Sequence, residues 1–373
     1  VKRHSAIAGY EDWPAASGRP RHRSSDGRVD LLASILGVPA RQPGTPAWSV
    51  LSERVVDGVR LKEMSWQLPF GPRTTAWLAE PEHHDGGLPG LLWMHCHAGN
   101  KFLGAERLVD CGTETAPSVR RLQEELYEGK AVANELAREG FAVLVHDPFG
   151  WGSRRFNLDQ PPPRTAEWLS AKQAVWEAEG TIADTETAYN AAAAFHENTV
   201  AKAAGILGTS FAGMVASDDL AALAVLRSLP TVDPTRIGTG GFSGGGGRAL
   251  ILAALAPEVR ACVVACMMTT FRSLFPYYLE QHSWLLNTPG LARTFEWPEL
   301  TTLAEQARFL VQFAADDALF PSDGMREADE LLKRLFTDDP RRYQGTWNPG
   351  GHIFTAEFLA GAAYFFSCEL QAR

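Results

Sequence analysis

Apolar positions are sparse among the Pro, Gly, Ser and Arg of residues 1–45, except in Val29 to Val38 (VDLLASILGV). That stretch predicts one short helix, closed by Gly37 and Pro39, in an N-terminal arm. From Trp48 to Pro81 the period becomes two, in short alternating runs broken at Asp57-Gly58 and Gly71-Pro72. This pattern predicts antiparallel strands joined by turns. Beyond Gly90 the apolar runs become continuous: Leu91 to His95, Phe141 to His146, Arg236 to Gly241, Val259 to Cys266 and Arg308 to Phe313. Helical stretches alternate with them, at Ala131 to Arg138, Asp218 to Leu229, Arg248 to Leu255, Leu303 to Gln306 and Thr355 to Leu370. Strands apolar on both faces and separated by helices predict an α/β fold, a mostly parallel central sheet with helices on both faces. Residues 153–212 break the rhythm, with no clear strand and an Ala-rich helix from Thr181 to Leu207. Such an insertion is most economically a helical cap over the strand ends. The chain therefore divides into an arm, 1–45, and one domain, 46–373, that carries the 153–212 insertion.

Composition narrows the function. The 45% hydrophobic and 21% charged residues are those of a globular protein. A net charge of −9 disfavours nucleic acid as the main partner. No apolar run approaches the roughly 18–20 residues of a membrane span. The five cysteines, Cys96, Cys111, Cys262, Cys266 and Cys368, form no C-x-x-C pair, which argues for reduced, buried thiols rather than a disulfide scaffold or a structural zinc site. The default expectation is a cytoplasmic protein, with a homo-oligomer left open.

Gly241-Phe242-Ser243-Gly244-Gly245 follows a strand and precedes a helix. In G-x-S-x-G the glycines permit a tight strand-to-helix turn that lifts the serine hydroxyl above the sheet edge, and the next N–H points at a developing oxyanion. A second serine, in Gly208-Thr209-Ser210-Phe211-Ala212, lacks the final glycine and follows a helix, so Ser243 is the candidate nucleophile. A serine needs an imidazole to take its proton and a carboxylate to orient that imidazole. Asp316 and Asp317 lie just after the Arg308 to Phe313 strand, and His352 follows Gly350-Gly351 ahead of the last helix. Asp317 lies further out on its loop, while Asp316 suits a turn cap. The order Ser243, Asp317, His352, with gaps of 74 and 35 residues, leaves room for the intervening strand–helix units.

His95-Cys96-His97-Ala98-Gly99-Asn100-Lys101 follows the first buried strand, and the backbone N–H groups of His97 and Gly244 are the expected oxyanion donors. Trp151, Phe242 and Met268, the last within the run Met267 to Thr270, are candidate walls of a substrate pocket. The assigned chemistry calls for no metal and no cofactor. Two alternatives stand beside it. His95 and His97 point the same way on an extended chain and, with His146, Asp147 or His282, offer ligands for a metal-dependent hydrolase. A non-catalytic protein on the same fold is the other.

Taken together, these segments resemble the α/β-hydrolase superfamily, and within it the dienelactone-hydrolase-like and acetyl-xylan-esterase-like branch. The motifs that carry the likeness are His95-Cys-His-Ala-Gly-Asn-Lys, Asp147-Pro-Phe-Gly-Trp-Gly, the run from Val232 through Gly-Phe-Ser243-Gly, Asp317-Ala-Leu-Phe-Pro and Gly350-Gly-His-Ile-Phe, in order across residues 48–373. The resemblance implies an α/β-hydrolase fold with antiparallel N-terminal strands and a helical cap, and a serine carboxylic-ester hydrolase. Its expected substrate is a small-molecule ester with a small acyl group, acetyl included, of a carbohydrate among other alcohols. Two departures stand out. Cys96 replaces the glycine usual in the family's oxyanion loop, and Ser243 stands where dienelactone hydrolases carry a cysteine.

Overall fold

A computed structural model describes Gly9, Tyr10, Asp12 and residues 27–38, 44–275 and 277–371. Its centre is a nine-stranded sheet in the order β1-β2-β3-β5-β4-β6-β7-β8-β9. Strands β1 (Trp48–Val56), β2 (Val59–Trp66) and β3 (Thr74–Pro81) form an antiparallel meander that joins β5 (Ala142–His146). The Val56–Val59 hairpin turns through Asp57 (φ 47°) and Gly58 (φ 77°), the left-handed pair that a two-residue hairpin needs. Strands β4 (Leu88–Met94), β5, β6 (Val232–Phe242), β7 (Val259–Ala265), β8 (Arg308–Ala314) and β9 (Tyr343–Asn348) are parallel.

Every residue of β4 and β5 is buried, because helices cover both faces of the parallel half. On one face lie α1 (Arg28–Leu36), α5 (Thr185–Ile206), α6 (Phe211–Ser228), α7 (Gly244–Leu255) and α8 (Ser322–Leu335), packed into a cluster that includes Leu36, Val200, Val215, Leu250 and Met325. On the other lie α2 (Pro117–Tyr127), α3 (Val132–Arg138) and α9 (Ala356–Leu370), around Tyr127, Leu136, Phe358 and Phe366. The sheet reverses its winding at β4, which has β5 on one side and β6 on the other. The carboxyl ends beside such a switch point form the crevice where open α/β sheets place their sites.

Several boundaries differ from the sequence expectation, each for a local reason. Residues 153–212 carry two helices, α4 (Pro163–Ala178) and α5, and the first turn of α6. Helix α6 begins at Phe211 rather than Asp218, because the Ser210 side chain caps it by accepting the Gly213 N–H at 2.9 Å. The second G-x-S motif is therefore a helix cap. Helix α5 starts at Thr185, where Asp184 accepts the Thr187 N–H at 2.8 Å. The expected helix at Leu303 to Gln306 is instead a 3₁₀ segment, Trp297–Leu303, set by Pro298 and a Glu296–Glu299 capping box. Pro39 lies outside the described residues, as does most of the arm around α1. No single helix among the described residues is long and apolar enough to cross a membrane.

Candidate active site

Ser243 stands alone between β6 and α7 with φ 56° and ψ −128°, a conformation L-residues rarely adopt. Close packing enforces it. A Cβ on Gly241 would sit 2.4 Å from the Gly245 carbonyl carbon, and one on Gly245 would sit 2.1 Å from the Met94 carbonyl oxygen. Only hydrogen at both positions lets α7 start this close to β4 and β6. The Ser243 N–H donates to the Ala265 carbonyl at 2.8 Å, fixing the turn to β7. Arg248, on α7, donates to buried Asp219 at 2.6 Å, and Asp219 is also 2.9 Å from His146 Nε2, which ties the elbow helix to the end of β5.

The loops after β8 and β9 bring the other two side chains to the serine. Ser243 Oγ lies 2.7 Å from His352 Nε2, and His352 Nδ1 lies 2.7 Å from Asp317 Oδ2. The Asp317 side chain has no solvent exposure, and its second oxygen accepts the Leu319 N–H at 2.9 Å. Asp316 points elsewhere. Its carboxylate accepts the Gly350 N–H at 3.2 Å and its own N–H donates to the Gly350 carbonyl at 3.0 Å, so it clips the aspartate loop to the histidine loop. The two adjacent aspartates thus have separate roles, one toward the imidazole and one toward the turn.

The Cys266 thiol lies close enough to Asp317 and His352 for one ligand atom from each to fall within 4.8 Å of the others. The donor set does not suit a cation. Both imidazole nitrogens are already engaged, and burial together with the Asp317 charge holds the thiol well above its usual pKa, in the protonated form.

The β4–α2 connection supplies the opposite wall. His97 N lies 3.2 Å from the place a Cβ would occupy on Gly244, so the two backbone groups are neighbours. Gly244 opens α7, where N–H groups and the helix dipole favour negative charge. The loop is held from beneath by Arg107, a fully buried guanidinium that donates to the carbonyls of Cys96 (3.0 Å), Asn100 (2.8 Å), Gly104 (3.1 Å) and Leu103. Cys96 turns inward, with its sulfur 3.1 Å from the Tyr127 hydroxyl.

The ligand set expected for the metal alternative is not assembled. His95 is buried, bonded to the Cys96 carbonyl at 2.9 Å, and held far below its ordinary pKa by desolvation and by the Arg107 and Arg248 charges. His97 accepts the Gly99 N–H at Nδ1 (3.0 Å) and turns Nε2 toward Glu197 (3.4 Å). His146 faces Asp219. Asp147 accepts the Ala105 and Ser153 N–H groups, each at 2.7 Å, and His282 Nε2 bonds the Leu319 carbonyl at 3.0 Å.

A cavity of about 260 Å³ opens over Ser243 and His352, walled by His97, Gly244, Met267, His282, Leu285, Leu286, Leu319 and Phe320. None of the three expected wall residues lines it. Trp151 lies one layer down, edge-on to His97 with ring centroids 5.3 Å apart and 3.5 Å beneath the Lys101 ammonium. Phe242, one residue before the serine, alternates to the other side of the sheet and packs against the His352 ring at 4.8 Å. Met268 joins the core, and its neighbour Met267 takes the wall. His282, a candidate ligand in the metal alternative, is instead a cavity wall, and other positions carry no motif: Arg107, Leu285, and the polar residues Glu186, Asn190 and Glu197 of α5. The last three had a signal, since spacings of four and seven place them on one face of an otherwise Ala-rich helix.

Comparison with known proteins agrees with this architecture. A family model described as acetyl xylan esterase matches residues 209–282, the segment holding the elbow and β7. The protein YtaP of Bacillus subtilis (strain 168) is 23% identical over 341 residues, covering 91% of this chain and 97% of that protein. A glucuronoyl esterase from Solibacter usitatus superposes with a TM-score of 0.61 at 12% identity, covering 98% of each chain. This chain has the α/β-hydrolase fold. An acetyl xylan esterase from Paenibacillus sp. R4 shares that hydrolase fold with a TM-score of 0.52 at 16% identity, over 96% of this chain and 99% of its own.

Proposed function

We propose that this α/β-hydrolase-fold chain is a serine carboxylic-ester hydrolase for small acyl esters of a carbohydrate alcohol, with acetyl the favoured acyl group. The observation that carries the reading is the unbroken chain of two 2.7 Å hydrogen bonds from Ser243 through His352 to Asp317. His352 Nε2 takes the Ser243 proton as Oγ bonds to the ester carbonyl carbon, and the carbonyl π pair moves onto oxygen. Asp317 keeps the proton on Nδ1 and stabilises the imidazolium. The His97 and Gly244 N–H groups receive the oxyanion, a contribution that is typically worth ~3 kcal/mol per donor. Collapse of the tetrahedral species expels the alcohol, which takes the proton from His352 and leaves acyl-Ser243. Water, deprotonated by the same imidazole, repeats the sequence and releases the carboxylic acid.

A cavity of about 260 Å³ suits a short acyl chain. The carbohydrate assignment is supported by the acetyl xylan esterase family match and by structural relatives named for acetyl xylan and glucuronoyl esters. Ser243→Ala should lower turnover of an aryl acetate by about 10⁴–10⁶-fold, as triad removals do, with EDTA leaving the wild-type rate unchanged. Unchanged turnover in pure mutant protein, or loss of activity to chelation, overturns the reading.

A further inference from the structure

The loop that carries His97 is gripped from outside by α5. The Asn190 side-chain oxygen accepts the Lys101 and Phe102 N–H groups at 2.8 and 2.9 Å, and Glu186 accepts from the Asn100 amide at 2.7 Å. Glu197, two turns further along the same face, makes the remaining contacts. Its Oε2 lies 2.7 Å from the Lys101 ammonium and 3.4 Å from His97 Nε2, and its Oε1 accepts the Trp284 N–H at 2.8 Å. Both members of the ion pair are buried, with 3% side-chain exposure for Lys101 and 6% for Glu197. Two charges taken this far from water cost several kcal/mol each before they attract one another, so holding two elements together is better served by apolar side chains. What the carboxylate adds is direction. It fixes three groups from two loops, and the Gly99 N–H holds the far side of the His97 ring at 3.0 Å. Trp284 precedes Leu285, whose Cδ2 lies 3.1 Å from the Cβ position of Gly244, so the same carboxylate also holds a side chain packed against Gly244.

We propose that Glu197 is a positioning residue for ester hydrolysis: through His97, Lys101 and Trp284 it sets the spacing between the His97 and Gly244 N–H groups. This rests on the serine-hydrolase reading above. Both N–H groups bind the oxygen only once it has become tetrahedral, so a looser spacing raises the transition state and leaves substrate binding alone. The expected signature is a fall in kcat at constant KM.

The test compares wild type, Glu197→Gln, the double variant Glu197→Leu/Lys101→Met, and Lys202→Gln, an exposed control on the same helix. Rates on an aryl acetate are normalised to the serine titrated by a fluorophosphonate, and an alkyl trifluoromethyl ketone probes the oxyanion pair. Glu197→Gln should lose ~10–100-fold in kcat per titrated serine with KM within about twofold, and its ketone inhibition constant should rise by the same factor. The double variant replaces the buried pair by apolar side chains and should recover thermal stability but not kcat, whereas a merely structural role recovers both. Lys202→Gln should match wild type. A per-serine kcat within twofold of wild type in Glu197→Gln, or recovery of both properties in the double variant, overturns the proposal. Failure of the probe to titrate wild-type serine overturns the serine reading instead.

Discussion

Gly245→Ala sets two physical effects against each other at the elbow. Gly245 lies in the first turn of α7, where alanine is favoured over glycine by about 1 kcal/mol on helix propensity alone. Packing says the reverse. The added Cβ would meet the Met94 carbonyl oxygen at 2.1 Å and the His95 carbonyl oxygen at 2.8 Å, both backbone atoms at the end of β4. Restoring ordinary contact requires α7 and that strand end to part by about 1 Å, which close-packed interiors resist, at a typical cost of ~1–3 kcal/mol. The displacement falls on function as well. Ser243 and Gly244 begin the helix that moves, and His97 lies in the loop three residues after Met94, the last residue of the strand that resists. A shift of this size at reacting groups costs about 10²-fold in rate. Urea unfolding followed by tryptophan fluorescence should therefore show lower stability, and aryl-acetate kcat per titrated serine should fall about 100-fold. Gly205→Ala, on α5 where a Cβ meets nothing within 4 Å, is the control and should show no loss of either. A Gly245→Ala protein at least as stable as wild type, with full kcat, refutes the packing argument.

Two further outcomes follow from particular side chains. Asp317→Asn should lower kcat by about 10³–10⁴-fold, because an amide no longer holds the His352 proton on Nδ1, whereas Asp316→Asn, whose amide oxygen still accepts the Gly350 N–H at an exposed turn, should cost less than about fivefold. Steady-state kinetics of the two adjacent variants compare them directly. His196 is buried on α5 against the Phe156 ring, and burial followed by the Lys101 charge pushes its pKa down to about 4. The unfolded chain then binds the proton more readily, so this stability is intact above about pH 6.5 and is lost as pH falls toward 4, up to about 3 kcal/mol. Urea midpoints at pH 7.5 and pH 4.5 should show that loss in wild type and a smaller one in His196→Leu.

The parts of the molecule that announce themselves in sequence are those where one constraint dominates. Strands buried on both faces must be continuously apolar, so β4, β5, β7 and β8 are visible as runs of Leu, Val, Ala and Phe. Ser243 is visible because the close approach of α7 excludes a Cβ on either flank. By contrast β9, Tyr-Gln-Gly-Thr-Trp-Asn, is an edge strand with partly exposed middle positions and carries no apolar run. The cavity wall at 281–286 comes from an aperiodic connection between β7 and β8, where no periodicity says which side chain faces inward. Trp151, Phe242 and Met268 are the right elements read one layer, one face or one residue away from the cavity. The Glu197–Lys101 pair joins residues 96 positions apart, and only the docking of α5 on the loop after β4 brings them together.

The most direct measurement is to treat the protein with a fluorophosphonate at neutral pH, digest it, and locate the adduct by mass spectrometry. The account predicts one stoichiometric adduct, on Ser243, whose formation slows by orders of magnitude in His352→Ala. An adduct on another residue, or no adduct in protein that still cleaves an aryl acetate, contradicts it.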